Sequence, residues 1–432
     1  MAQYKILIVG GGGREMALAL RLSQDPSAKE ILLAPGSDAL SKQFTCFPVA
    51  MTDQEGLVQL AREQGVNLVI IGPEGPLAEG LSDHFSKAGI ACFAPSLAAS
   101  HIESSKAYAK ELMTEAGVPT ARYQVCKSKS EARELVHSWG LPLVLKEDGL
   151  AAGKGVRICH WAEEVDRALA ANTVSQDQPI VVEEFLTGFE FSLIVLARGE
   201  TFIPLPVAQD YKAAYNGQQG PNTGGMGAVS PVDRVTKELY DQAIEQVIQP
   251  ILRALVRDKA AFTGFLYAGL MATDEGVRVI EFNARMGDPE AEIILPRVQG
   301  DLTAVIGQLL ELEPDAEAAQ PDLGLSCKAG YALGVVLSSP GYPGEILTYP
   351  LLPREFLDAA EEQGLKVIHM GSQFEDDSGD YRAKGGRVIM VIAEGDDFDS
   401  CHDRVYHFLD QYQFLIPYFH FRRDIGQASL AK

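Results

Sequence analysis

The sequence predicts a multidomain protein of mixed α/β and α+β class. An N-terminal doubly wound parallel sheet comes first, then a larger central region of strands and glycine-rich loops, then a small C-terminal α+β domain. Three observations carry that expectation. The 432 residues, 46% hydrophobic, suffice for about three cores. Strand and helix patterns alternate with short loops through residues 4–95, as parallel βαβ units do. Past residue 140 the rhythm changes to strand, glycine loop, strand.

Composition narrows the partners. A formal charge of −22 and an isoelectric point near 4.8 argue against nucleic-acid or anionic-membrane surfaces. Six scattered cysteines, with no C-x-x-C pair, predict reduced thiols. No apolar run matches a membrane span, and the chain opens on a strand without a basic leader, so a cytoplasmic protein is expected.

In the first region, residues 5–10, 30–36, 67–75 and 90–96 read as strands, with amphipathic helices at 14–24, 57–65 and 81–89. Ligands of such sheets meet the loops after the strands. Gly10 to Gly13 follow the first strand and open the first helix, where backbone N–H groups and a helix N-terminus suit a phosphate. The dinucleotide fingerprint fails: GxGxxG from Gly10 needs glycine where Glu15 stands, and the second strand ends Ala34-Pro35-Gly36 without an acid. NAD is not expected. A monophosphate or sugar phosphate remains, against the plainer alternative of a tight turn.

The central region begins with a helix over 104–117. Residues 140–159 then form a strand, a glycine loop and a second strand. The loop Gly149-Leu-Ala-Ala-Gly153-Lys154-Gly155 is one residue short of a Walker loop, lacks its Ser/Thr, and runs into a strand rather than a helix. A hairpin over a triphosphate is the better functional reading, with Lys146 on the entering strand reaching phosphate oxygens. Residues 179–197 supply two strands whose bend carries Glu183 and Glu190, acids that otherwise only solvate a loop. Residues 209–231 read as a long, nearly structureless glycine-rich loop, ordered around a site. A helix over 237–256 and an apolar strand over 262–272 follow, the strand paired through the turn 273–276 with residues 276–284.

That last strand, GVRVIEFNA, is the most informative segment. Side chains alternate along a strand, so Glu281 and Asn283 share one face. A carboxylate and an amide carbonyl side by side suit Mg²⁺, which takes hard oxygen ligands and shares them with phosphates; the alternative is an edge strand with a solvated face. Arg285 and Asp288 follow on a loop punctuated by Gly287 and Pro289. Residues 311–322, acidic with alanine and proline, look most like a linker. From about residue 326 further strands and a helix over 397–411 make the small α+β domain.

In this order, the segments resemble the ATP-grasp ligases, and specifically the phosphoribosylamine–glycine ligase (glycinamide ribonucleotide synthetase) family of purine biosynthesis. The carriers are GGGRE (11–15), IGPEGPLAEG (71–80), SKAYAKELM (105–113), KEDGLAAGKGV (146–156), VEEFLTGFEFS (182–192), GPNTGGMGA (220–228), GFLYAGLM (264–271), EFNARMGDPE (281–290), GGRV (385–388) and RRDIG (422–426). The resemblance implies an N-terminal domain over 1–103, a two-lobed ATP-grasp domain over 104–325 with its nucleotide lobe at about 121–193, and a C-terminal domain over 326–432. It implies ADP-forming ligation of glycine to 5-phosphoribosylamine through glycyl phosphate, with ATP as co-substrate and Mg²⁺ or Mn²⁺ as metal. No nucleic acid or membrane partner is expected, and the protein is expected to be a monomer or weak homo-oligomer.

By the same resemblance, Lys106, Lys146 and the loop with Gly149, Gly153, Lys154 and Gly155 contact ATP phosphates. Glu183 to Leu186 form the adenine hinge, with Phe185 and Leu186 reading the base, and Glu190 holds the ribose. Glu281 and Asn283 ligate the metal. Lys146, Arg285 and Asp288 are the catalytic set. Gly11, Gly12, Gly13, Arg14, Glu74, Asp210, Asn222, Thr223, Gly224, Gly225 and Arg285 hold the remaining substrates. The chain departs from the family at Met16 (His), Glu147 (Ala), Ala284, Met286, Ala213 (Arg), Gln218 (an acid), and Ala291-Glu292 (Thr-Gln). The losses at Met16 and Ala213 are expected to weaken the amine site. A related carboxylate–amine ligase with another amine or amino acid, and a nucleotide-binding protein without turnover, are the competing readings.

Overall fold

The computed structural model describes residues 3–150, 155–311 and 322–429. Most of the expected linker, as well as Gly153 and Lys154, lies outside the described residues. The N-terminal sheet is wholly parallel, in the order Thr45–Cys46, Ala28–Pro35, Tyr4–Gly10, Leu68–Ile71, Cys92–Phe93. Ile6 to Val9 are fully buried because both sheet faces are covered, which is why the strand reads as an unbroken apolar run. The chain switches direction across the sheet between Tyr4–Gly10 and Leu68–Ile71. The loops after those strands, carrying Arg14 and Glu74, therefore open at the crevice where such sheets bind ligands.

The nucleotide lobe is an antiparallel sheet in the order Tyr123–Cys126, Ile180–Glu184, Leu143–Glu147, Val156–Cys159. Strand alternation divides its residues cleanly. Leu143, Leu145, Ile180 and Val182 pack with Ala132, Leu135, Val165 and Leu169 of helices Lys129–Trp139 and Ala162–Ala171. Val144, Lys146 and Glu183 face the other way, into the cavity described below. The second lobe sheet runs Thr201–Pro204, Phe189–Arg198, Thr263–Thr273, Gly276–Asn283.

Two expectations need correction. Residues 209–231 are not structureless: Gln209–Asp210 and Gly227–Ser230 are the outer strands of the C-terminal sheet, pairing onward to Tyr331–Ser338, Arg387–Gly395 and Lys366–His369. A short ribbon, Ala213–Tyr215 with Gln219–Asn222, lies between them. A glycine-rich segment has no period to announce strands whose partners lie about a hundred residues away. The helix expected over 237–256 is instead α over Lys237–Gln242, π over Ala243–Ile248, then α over Gln249–Arg257. Pro250 has no N–H to continue the α ladder, and the widened turns precede it.

Candidate functional site

A cavity of about 350 Å³ lies where the N-terminal crevice, both central lobes and the C-terminal sheet meet. Arg14 and Glu74 line it from the first domain, Lys146, Phe185 and Leu186 from the nucleotide lobe, Glu281, Asn283, Arg285 and Asp288 from the second lobe, and Arg387 from the C-terminal sheet.

At the nucleotide end, helix Lys106–Ala116 is fixed by Ser105, whose hydroxyl accepts from the Tyr108 N–H at 3.1 Å, and by Asp148, which accepts from the Ala107 N–H at 3.1 Å. The helix start therefore stays against the glycine loop, and Lys106 Nζ donates to the Gly149 carbonyl at 2.8 Å. Lys146 Nζ is 2.9 Å from Glu183 Oε1 and donates to the Ile280 carbonyl at 2.8 Å. Glu183 Oε2 is 2.8 Å from Lys110 Nζ, which also donates to Thr120 Oγ1 at 2.7 Å. The Thr120 hydroxyl in turn donates to the Val279 carbonyl at 2.7 Å.

The Glu183 carboxylate is thus spent on two buried ammonium groups and is not free for adenine. Its strand still delivers Phe185 and Leu186 to the cavity wall, beside Val156 and Ile158. Lys110 drew no role from the sequence; burial pushes it down to about 8 although Glu183 opposes the shift. Lys110→Met should raise the KM for ATP by about tenfold and cost about 3 kcal/mol of stability, since it leaves a buried carboxylate half-paired. Combining it with Glu183→Gln should cost less than the sum of the two single changes, checked by a denaturation double-mutant cycle.

Glu281 pairs with Gly269 and Asn283 with Tyr267 across the ladder, so both side chains emerge on one face. A bulge beside Glu281 aims the Ile280 carbonyl at Lys146. Burial pushes the Glu281 carboxyl up, but Lys212, Lys146, Lys106 and Arg285 outweigh it and hold the group below its usual range. Lys212 Nζ lies 3.7 Å from Glu281 and 3.2 Å from Glu190, the residue expected at the ribose. Among the described residues, no three His, Cys, Asp or Glu side chains gather as a complete metal cage. One carboxylate and one amide oxygen on a face that already attracts cations fit Mg²⁺, which completes its shell with phosphate and water.

At the opposite end, the Arg285 guanidinium is shared among Glu74 at 3.1 Å, Glu103 at 2.9 Å and the Met286 carbonyl at 3.1 Å. Glu103 was not foreseen, because in sequence it is an ordinary acid in the last turn of helix Leu97–Ser104. Asp288 pairs with Arg387 at 2.9 Å, and Arg387 also donates to the Gly224 carbonyl at 2.5 Å. Arg387 stood in the GGRV motif without an assigned role. Asn222, Thr223 and Gly224 line the cavity. Gly225 lies behind them at φ 111°, where a Cβ would come within 2.3 Å of Pro289 and 2.6 Å of Asp210 Oδ1. That Asp210 oxygen is buried without a hydrogen-bond partner, and burial raises the carboxyl well above its usual range.

The glycine turn behaves differently from expectation. Gly11, Gly12 and Gly13 do not line the cavity. The N–H groups of Gly11 and Gly12 donate to Glu15 Oε2 at 3.1 and 2.7 Å, so the chain's own carboxylate takes the place foreseen for a phosphate. Arg14 is the member that reaches the cavity; its guanidinium donates to the Gly72 carbonyl at 2.6 Å, and its Nε is buried without a partner. The departures at Met16 and Ala213 lie off the cavity too. Met16 sulfur accepts the His369 N–H at 3.3 Å, while the Ala213 carbonyl and Gln218 Oε1 accept from Arg422 at 3.0 and 2.9 Å.

Comparison with known proteins agrees with this layout. Residues 4–103 match the phosphoribosylglycinamide synthetase N domain, 104–291 its ATP-grasp (A) domain and 332–428 its C domain. The chain is 39% identical to phosphoribosylamine–glycine ligase of Halalkalibacterium halodurans over 99% of this chain and 97% of the other. It is 41% identical to that of Streptomyces coelicolor, over 93% and 94%. The solved structure of the Thermotoga maritima phosphoribosylamine–glycine ligase superposes with a TM-score of 0.78 at 28% identity, covering 98% of this chain and all of the other. A biotin carboxylase domain from Hydrogenobacter thermophilus, in complex with MgADP, shares the fold at TM-score 0.69 and 18% identity, over 98% and 91% of the two chains.

Proposed function

This chain belongs to the phosphoribosylglycinamide synthetase family, and from that premise we propose that it joins glycine to 5-phosphoribosylamine at the expense of ATP. It is an ATP-grasp, ADP-forming ligase. A glycine carboxylate oxygen attacks the γ-phosphorus and ADP leaves. The amine nitrogen then attacks the glycyl carbonyl carbon and inorganic phosphate leaves, giving glycinamide ribonucleotide. No protein nucleophile takes part, so catalysis is positioning and charge neutralisation.

The observation that carries this reading is the convergence of phosphate-binding and substrate-binding side chains in one cavity. Lys106 and Lys146 stand at one end, Glu281 and Asn283 in the middle, and Arg285, Arg14, Glu74 and Arg387 at the other. Lys106 and Lys146 neutralise the triphosphate. Glu281 and Asn283 would hold Mg²⁺ or Mn²⁺, which when bound neutralises phosphate oxygens. Arg285, steered by Glu74 and Glu103, holds the acyl phosphate. Arg14 and Arg387 present cations to the ribose phosphate, and Glu74 presents acceptors to its hydroxyls.

The test is ADP release with ATP and Mg²⁺, adding glycine and phosphoribosylamine singly and together. ADP is expected only with both. Turnover with a different amine, and none with phosphoribosylamine, would overturn the substrate assignment.

A further inference from the structure

Glu292 has no exposed surface, and neither of its carboxyl oxygens has a hydrogen-bond partner. It sits on the short helix Glu290–Ile294, packed under the first turn of helix Gly13–Leu22; a Cβ on Gly13 would come within 2.5 Å of its Oε1. A carboxylate in such a place without donors is strongly disfavoured, whereas the uncharged acid is tolerated.

The charged neighbours are few. Arg14 faces it from the helix above, Asp288 from the preceding loop and Arg387 from strand Arg387–Gly395, while Glu15 on that helix is turned to the Gly11 and Gly12 N–H groups. The strand ending at His369 presents Ile368 and, just past it, Met370. Strands Gly227–Ser230 and Tyr331–Ser338, also packed on the short helix, bring no acid or base other than Tyr331, which is engaged with Asp233. On its own helix Glu290 accepts from Ser192, and Arg297 beyond it is spent on Ser230 and the Lys328 carbonyl. Arg14 and Arg387 are the two cations that the functional reading above assigns to the ribose phosphate.

We infer that Glu292 is a proton-bearing positioning residue for the phosphorylated ribose substrate, holding the Gly13–Arg14 turn while leaving Arg14 and Arg387 to the ligand. Ionisation would set a further anion, besides Asp288, behind those guanidiniums, competing with the phosphate for them and repelling it. Burial raises the carboxyl well above its usual range, with Asp288 adding to the rise and Arg387, the residue's own backbone N–H and Arg14 opposing it. The sign follows: a bound phosphate favours the protonated acid. Affinity is therefore full below the group's pKa and falls as pH rises through it.

The inference rests on the proposed function, and the experiment separates the two. Glycinamide ribonucleotide, the stable product with the same ribose phosphate, is titrated calorimetrically into the native chain and E292Q between pH 6.5 and 9.5. E292Q keeps the shape and cannot ionise. The ratio of native to E292Q Kd should rise at least about fivefold across that range, while the KM for ATP stays equal in the two proteins. Native binding at the alkaline end should also take up protons, read from buffers of different ionisation enthalpy, and this measurement stands even if E292Q fails to fold. Tight binding with a pH-independent ratio and no proton uptake would overturn the role of Glu292 alone. No binding by either protein at any pH would overturn the functional reading and this inference with it.

Discussion

Glu281→Gln should lower kcat by about 10³-fold, corresponding to about 4 kcal/mol of transition-state charge stabilisation, with little change in melting temperature. The amide keeps the shape of the side chain and its place opposite Gly269. It removes the negative charge that Lys212, Lys146 and Lys106 converge on. Lys146 keeps Glu183 and Lys212 keeps Glu190, but the face that suits a divalent ion loses the carboxylate beside Asn283. Steady-state ADP release and thermal unfolding of the same preparation check it. Near-normal turnover in a well-folded variant would remove Glu281 from the metal role.

Arg285→Met should abolish measurable ligation and destabilise the fold by about 3 kcal/mol, because removing one member of a buried ion cluster leaves the others uncompensated. Glu74 and Glu103 both lean on this guanidinium. The pH dependence sharpens the expectation. Glu74 lies in the folded protein below its ordinary value of 4.5: burial pushes it up, but Arg285 and then Arg14 outweigh burial. A depressed carboxylate adds stability above its unfolded pKa and loses it as pH falls through the folded one. Glu103 is raised by burial against the pull of Arg285, so without Arg285 it gains more from protonation. The gap in melting temperature between native protein and variant should thus be widest near neutrality and shrink below about pH 4.5. A gap of constant width would mean that Arg285 acts by packing rather than by charge.

The sequence by itself determined whatever is local. Alternation along GVRVIEFNA puts Glu281 and Asn283 on one face, and the structure places both in the cavity. The βα rhythm through residue 95 announced the parallel sheet because each βαβ unit carries its own apolar period. Lys106, Lys146, Glu190, Arg285 and Asp288 were legible from motif order, and all of them line the cavity.

Only the tertiary structure decided whose charge each of these groups meets. Glu183 reads as a hinge acid in sequence, but folding brings Lys110 from a helix more than seventy residues earlier to its second oxygen. Glu103 carries no local signature; it and Arg387 matter through partners on another domain or sheet, and Glu292 through burial that leaves its oxygens without one. Gly11 and Gly12 suggested a phosphate cradle, yet their N–H groups close on Glu15, three and four residues away. Periodicity encodes which face a side chain takes, since that depends on neighbours within one turn or one strand. Pairing and protonation depend on distance and desolvation among segments far apart in the chain, and those are fixed only when the domains pack together.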